Sequence, residues 1–251
     1  MDPYGGRPQK KPTSPWIYLA VGCGLAVMLA MFALAGMTWW GYRKGKEITE
    51  AMADPEKRAA RVREVLPYEQ LPPGYHPAFA FSVPMVMDMA MLSDREFEAG
   101  ENPQESGKDG GGFEERGFIY FNMREMRNNR QEMERYIRGE GPPPKDSSWD
   151  SNVRFDPEDV IRRGDVQASG TKVLYAASRG KISKDSGEDK RGIVTMVMPD
   201  CGKGRLRFGL WFGPDPAPDT PVKEADYTGS AADPAQVQQF LNHFQLCGAR
   251  K

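Results

Sequence analysis

Residues 16–40 read WIYLAVGCGLAVMLAMFALAGMTWW, 25 positions without a charged side chain. Across the whole chain 27% of residues are charged, so a run of this length demands its own explanation. About 20 apolar residues carry a helix across the hydrocarbon layer of a bilayer. A helix of this segment would be roughly 37 Å long, enough to cross with some tilt. Trp16 and Tyr18 stand at one end, and Trp39, Trp40 and Tyr42 at the other. Amphipathic rings settle at the headgroup level, so aromatics at both ends suit a spanning helix. Ala33-Leu34-Ala35 has the form of a signal-peptide cleavage site. The apolar run continues past it through Met37, Trp39 and Trp40, which fits an uncleaved signal-anchor better than a segment cut after Ala35. The expectation is a single-pass membrane protein. Gly22, Ala26 and Ala30 recur every four residues along one helix face. Small residues at that spacing let a second helix approach closely, which opens a route to a homo-oligomer through this helix.

Two signals bear on which side of the membrane the rest of the chain occupies, and they point in opposite directions. Arg7, Lys10 and Lys11 precede the apolar run, while Arg43, Lys44, Lys46, Lys57 and Arg58 follow it. Counted by the positive-inside rule, this slightly favours a cytoplasmic domain. Outside residues 16–40 there are two cysteines, Cys201 and Cys247. An isolated pair is compatible with one disulfide in an oxidising compartment. A first membrane segment also commonly leaves its short basic tail inside, so the reading adopted is a periplasmic, extracytoplasmic domain.

The chain divides by composition into a basic tail (1–15), the transmembrane helix (16–40), a charged helical stalk (41–70) and a domain (71–251). Beyond residue 40 there are 31 basic and 34 acidic side chains. That near balance argues against nucleic acid, which is bound by a clustered basic surface. Loop insertions are expected over 93–112, 139–150 and 214–233, stretches dense in Gly, Pro, Asn and Ser and without apolar periodicity. Asp54 and Pro55 form a cap and first-turn pair that opens a helix to about Leu66. Strands are predicted over 78–83, 85–92 and 117–123, then a helix over 128–138. A hairpin over 160–168 and 172–181 turns at Ser169-Gly170-Thr171, and strands follow over 192–198 and 204–212. In the last, Leu206, Phe208, Leu210 and Phe212 alternate with Arg205, Arg207, Gly209 and Trp211, a period of two with one face buried. Asp233-Pro234 opens a final helix in which Val237, Phe240, Leu241, Phe244 and Cys247 keep helical spacing. The predicted order is helix, three strands, helix, four strands, helix. Antiparallel strand runs with helices laid on a face give an α+β sandwich. A Cys201–Cys247 bond would close a loop of about 46 residues, worth roughly 3–4 kcal/mol in the chain-entropy model. Two separate buried thiols are the alternative.

This order, with LPPGYHPAFAF leading into strands, RGFIYFNMRE before a helix and DPAQVQQFLNHFQLC near the end, resembles the Mog1/PsbP-like fold over about Leu71 to Cys247. That fold occurs in small bacterial lipoproteins and partner-binding accessory proteins. The resemblance implies a non-catalytic module that docks on a larger partner.

Chemistry-bearing motifs are sparse. There is no G-x-S-x-G elbow, P-loop or H-E-x-x-H motif. His243 precedes Cys247 by four residues, so with Cys201 three ligands would be available, short of the paired spacing of a zinc site. No cofactor is therefore expected. The most unusual stretch is MVMDMAM, in which Met85, Met87, Met89 and Met91 alternate. In a strand all four thioethers would share a face. Thioethers select Cu(I), but Met also fills irregular core gaps. Trp211, Arg205 and Arg207 share the outward side of their strand, and such side chains carry interface energy. They are the first expectation for a partner surface. Together these features predict a membrane-anchored, non-catalytic domain that binds another protein, with an extracytoplasmic Cu(I)-binding domain as the alternative.

Overall fold

Two helix starts form as the sequence dictates. The Asp54 carboxylate accepts from the amides of Glu56 and Lys57, at 3.0 and 3.3 Å, and Pro55 opens α1 (Pro55–Val65). Asp233 accepts from the Ala235 amide at 3.0 Å and Pro234 opens the last helix, α3 (Pro234–Leu241). Pro at the first helical position gives up no hydrogen bond, because that amide has no partner within the helix. The structure is a computed structural model that describes residues 52–101, 114–124, 129–142, 153–184, 189–202 and 204–248. Residues 16–40, and with them Gly22, Ala26 and Ala30, lie outside the described residues. Among the described residues no helix is long and apolar enough to cross a membrane.

Between these helices run β1 (His76–Val83), β2 (Met87–Ser93), β3 (Gly117–Arg124), α2 (Asn129–Arg138), β4 (Val153–Ala168), β5 (Thr171–Lys184), β6 (Asp189–Pro199) and β7 (Arg205–Pro214). The element order is the one expected from the sequence. All seven strands form one sheet in the order β1-β2-β3-β7-β6-β5-β4, with every neighbouring pair antiparallel. The protein is α+β. Ser169 and Gly170 take φ +48° and +73° at the β4–β5 turn, the left-handed pair that a two-residue hairpin loop uses.

Of the boundaries that differ from expectation, three are informative. The second strand begins at Met87 rather than Met85, because Pro84 lacks an amide hydrogen and Met85 takes φ +65°, making residues 84–86 a turn. The fourth strand starts at Val153, so the polar, breaker-rich approach to it is already extended before residue 160. The last helix stops at Leu241, since Phe244 forms a β-bridge with Tyr68 and Cys247 follows in a turn. The helical spacing of Phe244 and Cys247 therefore does not report helix: Phe244 is buried in the bridge and Cys247 lies in the turn.

Both sheet faces are covered, not one. The first face holds Leu92, Phe118, Tyr120, Val173, Ile193 and Trp211, roofed by α1, α3 and the segment from Tyr227 to Leu246. Val237 and Leu241 are fully buried there and Phe240 nearly so. Burying three such side chains contributes roughly 5–9 kcal/mol before conformational entropy is charged against it. The opposite face holds Phe121, Leu206, Phe208, Leu210 and Phe212, with Met133 and Ile137 of α2 above it. Phe121 and Phe208 stack there at 4.8 Å.

The stalk expected over 41–70 is corrected in its described part. Val62 and Leu66 are fully buried against the sheet. Arg58, only 3% exposed, donates to the carbonyls of Met52 at 2.8 Å and Phe97 at 2.7 Å. A helix rich in charge still packs when one of its stripes is Arg58, Val62 and Leu66. The helix is part of the domain and ties down the segment that follows β2.

Candidate functional site

A cleft of about 410 Å³ opens between the Pro72-Pro73-Gly74-Tyr75 turn, the end of β7, the loop of residues 228–231 and α3. Its wall and floor are Pro72, Pro73, Tyr75, Trp211, Pro214, Pro216 and Phe240. Arg116, Gln236, Gln239 and His243 supply its polar groups. The lining is mostly apolar with a few polar side chains at the rim.

Each wall is fixed by identifiable contacts. The Trp211 ring stacks on Phe240 at 4.3 Å with the planes 6° apart. Its indole Nε1 donates to the Tyr75 hydroxyl at 2.7 Å. Burial pushes the Tyr75 pKa up, while the Trp211 hydrogen bond and the Arg116 charge pull it partly back. Arg116 lies over the Tyr75 ring, its guanidinium carbon 5.6 Å from the centroid. The Asp94 carboxylate accepts from the amides of Glu114, Glu115 and Arg116, at 2.8, 2.9 and 2.8 Å, and so fixes the backbone from which Arg116 projects. Gly74 sits at φ +74° with the Arg116 side chain 3.1 Å from where a Cβ would stand, so the turn leaves room for that guanidinium.

The outer wall belongs to the loop of residues 214–233, and a buried ion pair ties it to the sheet. The Arg179 Nε lies 2.5 Å from Asp215 Oδ2, with the two side chains 5% and 0% exposed. Arg179 also donates to the carbonyls of Ala217 at 2.7 Å and Thr220 at 2.6 Å, and its guanidinium carbon lies 5.6 Å from the Tyr227 ring centroid. The hydroxyls of Ser230 and Thr228 donate within their own turns, to the Tyr227 carbonyl and the Asp226 carboxylate. The cleft thus presents proline rings, one exposed guanidinium and side-chain amides above the rings of Tyr75, Trp211 and Phe240, which are themselves only 5–9% exposed.

The residues singled out from the sequence fall in three places. Cys201 and Cys247 have their sulfurs 2.09 Å apart and their α-carbons 5.3 Å apart, a disulfide geometry. The pair joins the turn before β7 to the residues after α3. His243 Nδ1 lies 3.1 Å from the Gln70 carbonyl. Among the described residues no three His, Cys, Asp or Glu side chains come together as a metal site. The expected Trp211, Arg205 and Arg207 surface is corrected. The three do share one side of β7, but Trp211 is 9% exposed under Phe240 and forms the cleft floor instead. Arg205 donates to Asp88 at 2.8 Å and Arg207 to Asn122 at 3.3 Å, at the far end of the strand. The four-methionine face is corrected as well. Met87, Met89 and Met91 keep one side of β2, whereas Met85 stands in the turn, 77% exposed. Strand register sets Met123 directly opposite Met87, and Met89, Met91 and Met123 pack half-buried against the second core.

Sequence reasoning missed Tyr75 and Arg116 as cleft residues. The available signal was LPPGY, two prolines and a glycine holding a tyrosine, which reads as a rigid turn until Trp211 is known to lie behind it. No protein-family model matches the chain, and no curated protein matches it in sequence.

Proposed function

We propose that this protein is a single-pass membrane-anchored accessory domain that binds an extended segment of a partner protein in the Tyr75–Trp211–Phe240 cleft. The observation that carries the reading is the cleft itself: stacked aromatics and prolines with Arg116 at the rim. Proline-rich and other extended segments dock in aromatic-lined grooves because they are already ordered before binding. Arg116 would pair with a carboxylate of that segment. The uncharged run of residues 16–40 supports the anchor. An anchor confines the domain to the bilayer surface and raises its effective concentration for partners held there. The Cys201–Cys247 geometry supports an oxidising, extracytoplasmic side. The antiparallel sheet covered by helices on both faces is compatible with the Mog1/PsbP-like arrangement, which remains part of the proposal.

The test places a photo-crosslinking amino acid at Gln239, an exposed rim position, in the full chain in native membranes. Expected is a discrete protein adduct that Arg116→Glu weakens. Labelling that is diffuse, or unaffected by Arg116→Glu, refutes binding in this cleft.

A second reading rests on the Met87–Met123 register. Two thioethers directly opposite on neighbouring strands, with Met89 two residues along β2, form a closer set than four alternate positions of one strand, and Cu(I) is the ion they would hold.

A further inference from the structure

The β1–β2 turn combines two features that folding alone disfavours. Val83 accepts from the Val86 amide at 3.0 Å, closing a turn with Pro84 and Met85 at its centre. Met85 takes φ +65°, a conformation that turns usually assign to Gly or Asn. A residue with a Cβ is strained there, and such strain clusters at sites that use it. Met85 is also 77% exposed and its neighbour Val86 47%. Among the described residues, three large apolar side chains are exposed. Two are these neighbours and the third, Val160, lies on β4 at the opposite edge of the sheet. The turn is held from behind, since the Arg124 amide donates to the Val86 carbonyl at 2.9 Å. The same end of the sheet carries cations. Arg124 pairs in register with Arg205, which is ion-paired to Asp88 at 2.8 Å, and Arg207, two residues along β7, donates to Asn122 at 3.3 Å, so three arginines meet one carboxylate at this end.

We propose that this turn is a membrane-contacting tip that seats Met85 and Val86 in the headgroup region of an anionic bilayer. The inference rests on the anchor reading, because the uncharged run of residues 16–40 is what makes a bilayer the surface at hand. Apolar side chains at the extremity with a net excess of arginine over the one carboxylate, Asp88, set behind them match an interface whose interior is apolar and whose surface is negative. Arginine side chains lay their stems along apolar surface and keep the guanidinium at the headgroups. The left-handed backbone at Met85 then has a use. It turns the chain within three residues, so both apolar side chains sit at the tip rather than along a strand.

The experiment uses the full chain reconstituted in phosphatidylcholine–phosphatidylglycerol vesicles. A benzophenone amino acid replaces Met85 in one preparation and Val160 in another. After irradiation, adducts are identified by mass spectrometry. The proposal expects a phospholipid adduct at position 85 and none above background at 160. No lipid adduct at 85, equal adducts at both positions, or a protein adduct at 85 in place of lipid overturns it. Alkaline carbonate extraction of the same vesicles reports on the anchor separately. A chain released by carbonate contradicts the spanning segment whatever position 85 does, while a retained chain without an adduct at 85 contradicts the tip alone.

Discussion

Replacing Arg179 by Met removes the tie that holds the cleft's outer wall. Both side chains of the pair are buried, 5% exposed for Arg179 and 0% for Asp215. The substitution deletes the 2.5 Å ion pair and the donations to Ala217 and Thr220, and leaves the Asp215 carboxylate buried without its cation. The Ala217 amide still donates to that carboxylate at 3.0 Å, which satisfies part of it. Removing one partner of a buried pair costs about 3–5 kcal/mol, most of it the stranded charge. The two carbonyls lie in a partly buried loop where water replaces the lost donors, so they add little. The full chain in detergent, unfolded with urea and followed by tryptophan fluorescence, should lose about 4 kcal/mol. At a slope of about 2 kcal/mol/M, the midpoint falls by roughly 2 M. Arg179→Met with Asp215→Leu should recover most of that loss, because a packed apolar pair of similar volume is often as stable as the ions it replaces. A single variant within about 0.5 kcal/mol of the parent, the range of an ordinary surface substitution, would refute the clamp. So would a double variant no more stable than the single one.

Burial raises the pKa of both Tyr75 and Tyr120, and Tyr120 also donates to the Leu246 carbonyl at 2.5 Å. A raised tyrosine pKa makes the folded state hold its proton longer than the unfolded one. The stabilisation is complete below the unfolded value near 10 and declines as pH climbs above it. Absorbance titration should therefore show Tyr75 and Tyr120 ionising only together with unfolding, and early ionisation of Tyr120 in a Tyr75→Phe variant would contradict this. For the thioether reading, Ag(I) titration of the full chain should show saturable binding that Met87→Leu and Met123→Leu each abolish. Equal binding by both variants and the parent rules out that site.

Much of the fold was legible because local rules and tertiary packing agree. Asp-Pro pairs opened α1 and α3 where expected, and the alternation of Leu206, Phe208, Leu210 and Phe212 marked a strand. The same alternation did not reveal that Gly209 and Trp211 face a layer covered by α1 and α3. Glycine and arginine on one side look solvated, and only the roof provided by α3 makes Trp211 a buried residue. The cleft was illegible for a related reason. Tyr75, Arg116, Trp211 and Phe240 come from four separate segments, and no spacing in the sequence announces their meeting. Met85 shows the limit of periodicity. Its alternation with Met87 is perfect, yet Pro84 ends the ladder and puts it in a turn.

The central claim is a membrane-anchored domain whose closing segment is covalently fixed on the oxidising side of the bilayer. Its most direct test is the redox state of Cys201 and Cys247 in intact cells. Thiols are alkylated at once, and non-reduced and reduced peptides are compared by mass spectrometry. The account predicts a Cys201–Cys247 bridged peptide with neither thiol alkylated. Two alkylated cysteines would contradict it, and the basic residues after Trp40 would then place the domain in the cytoplasm.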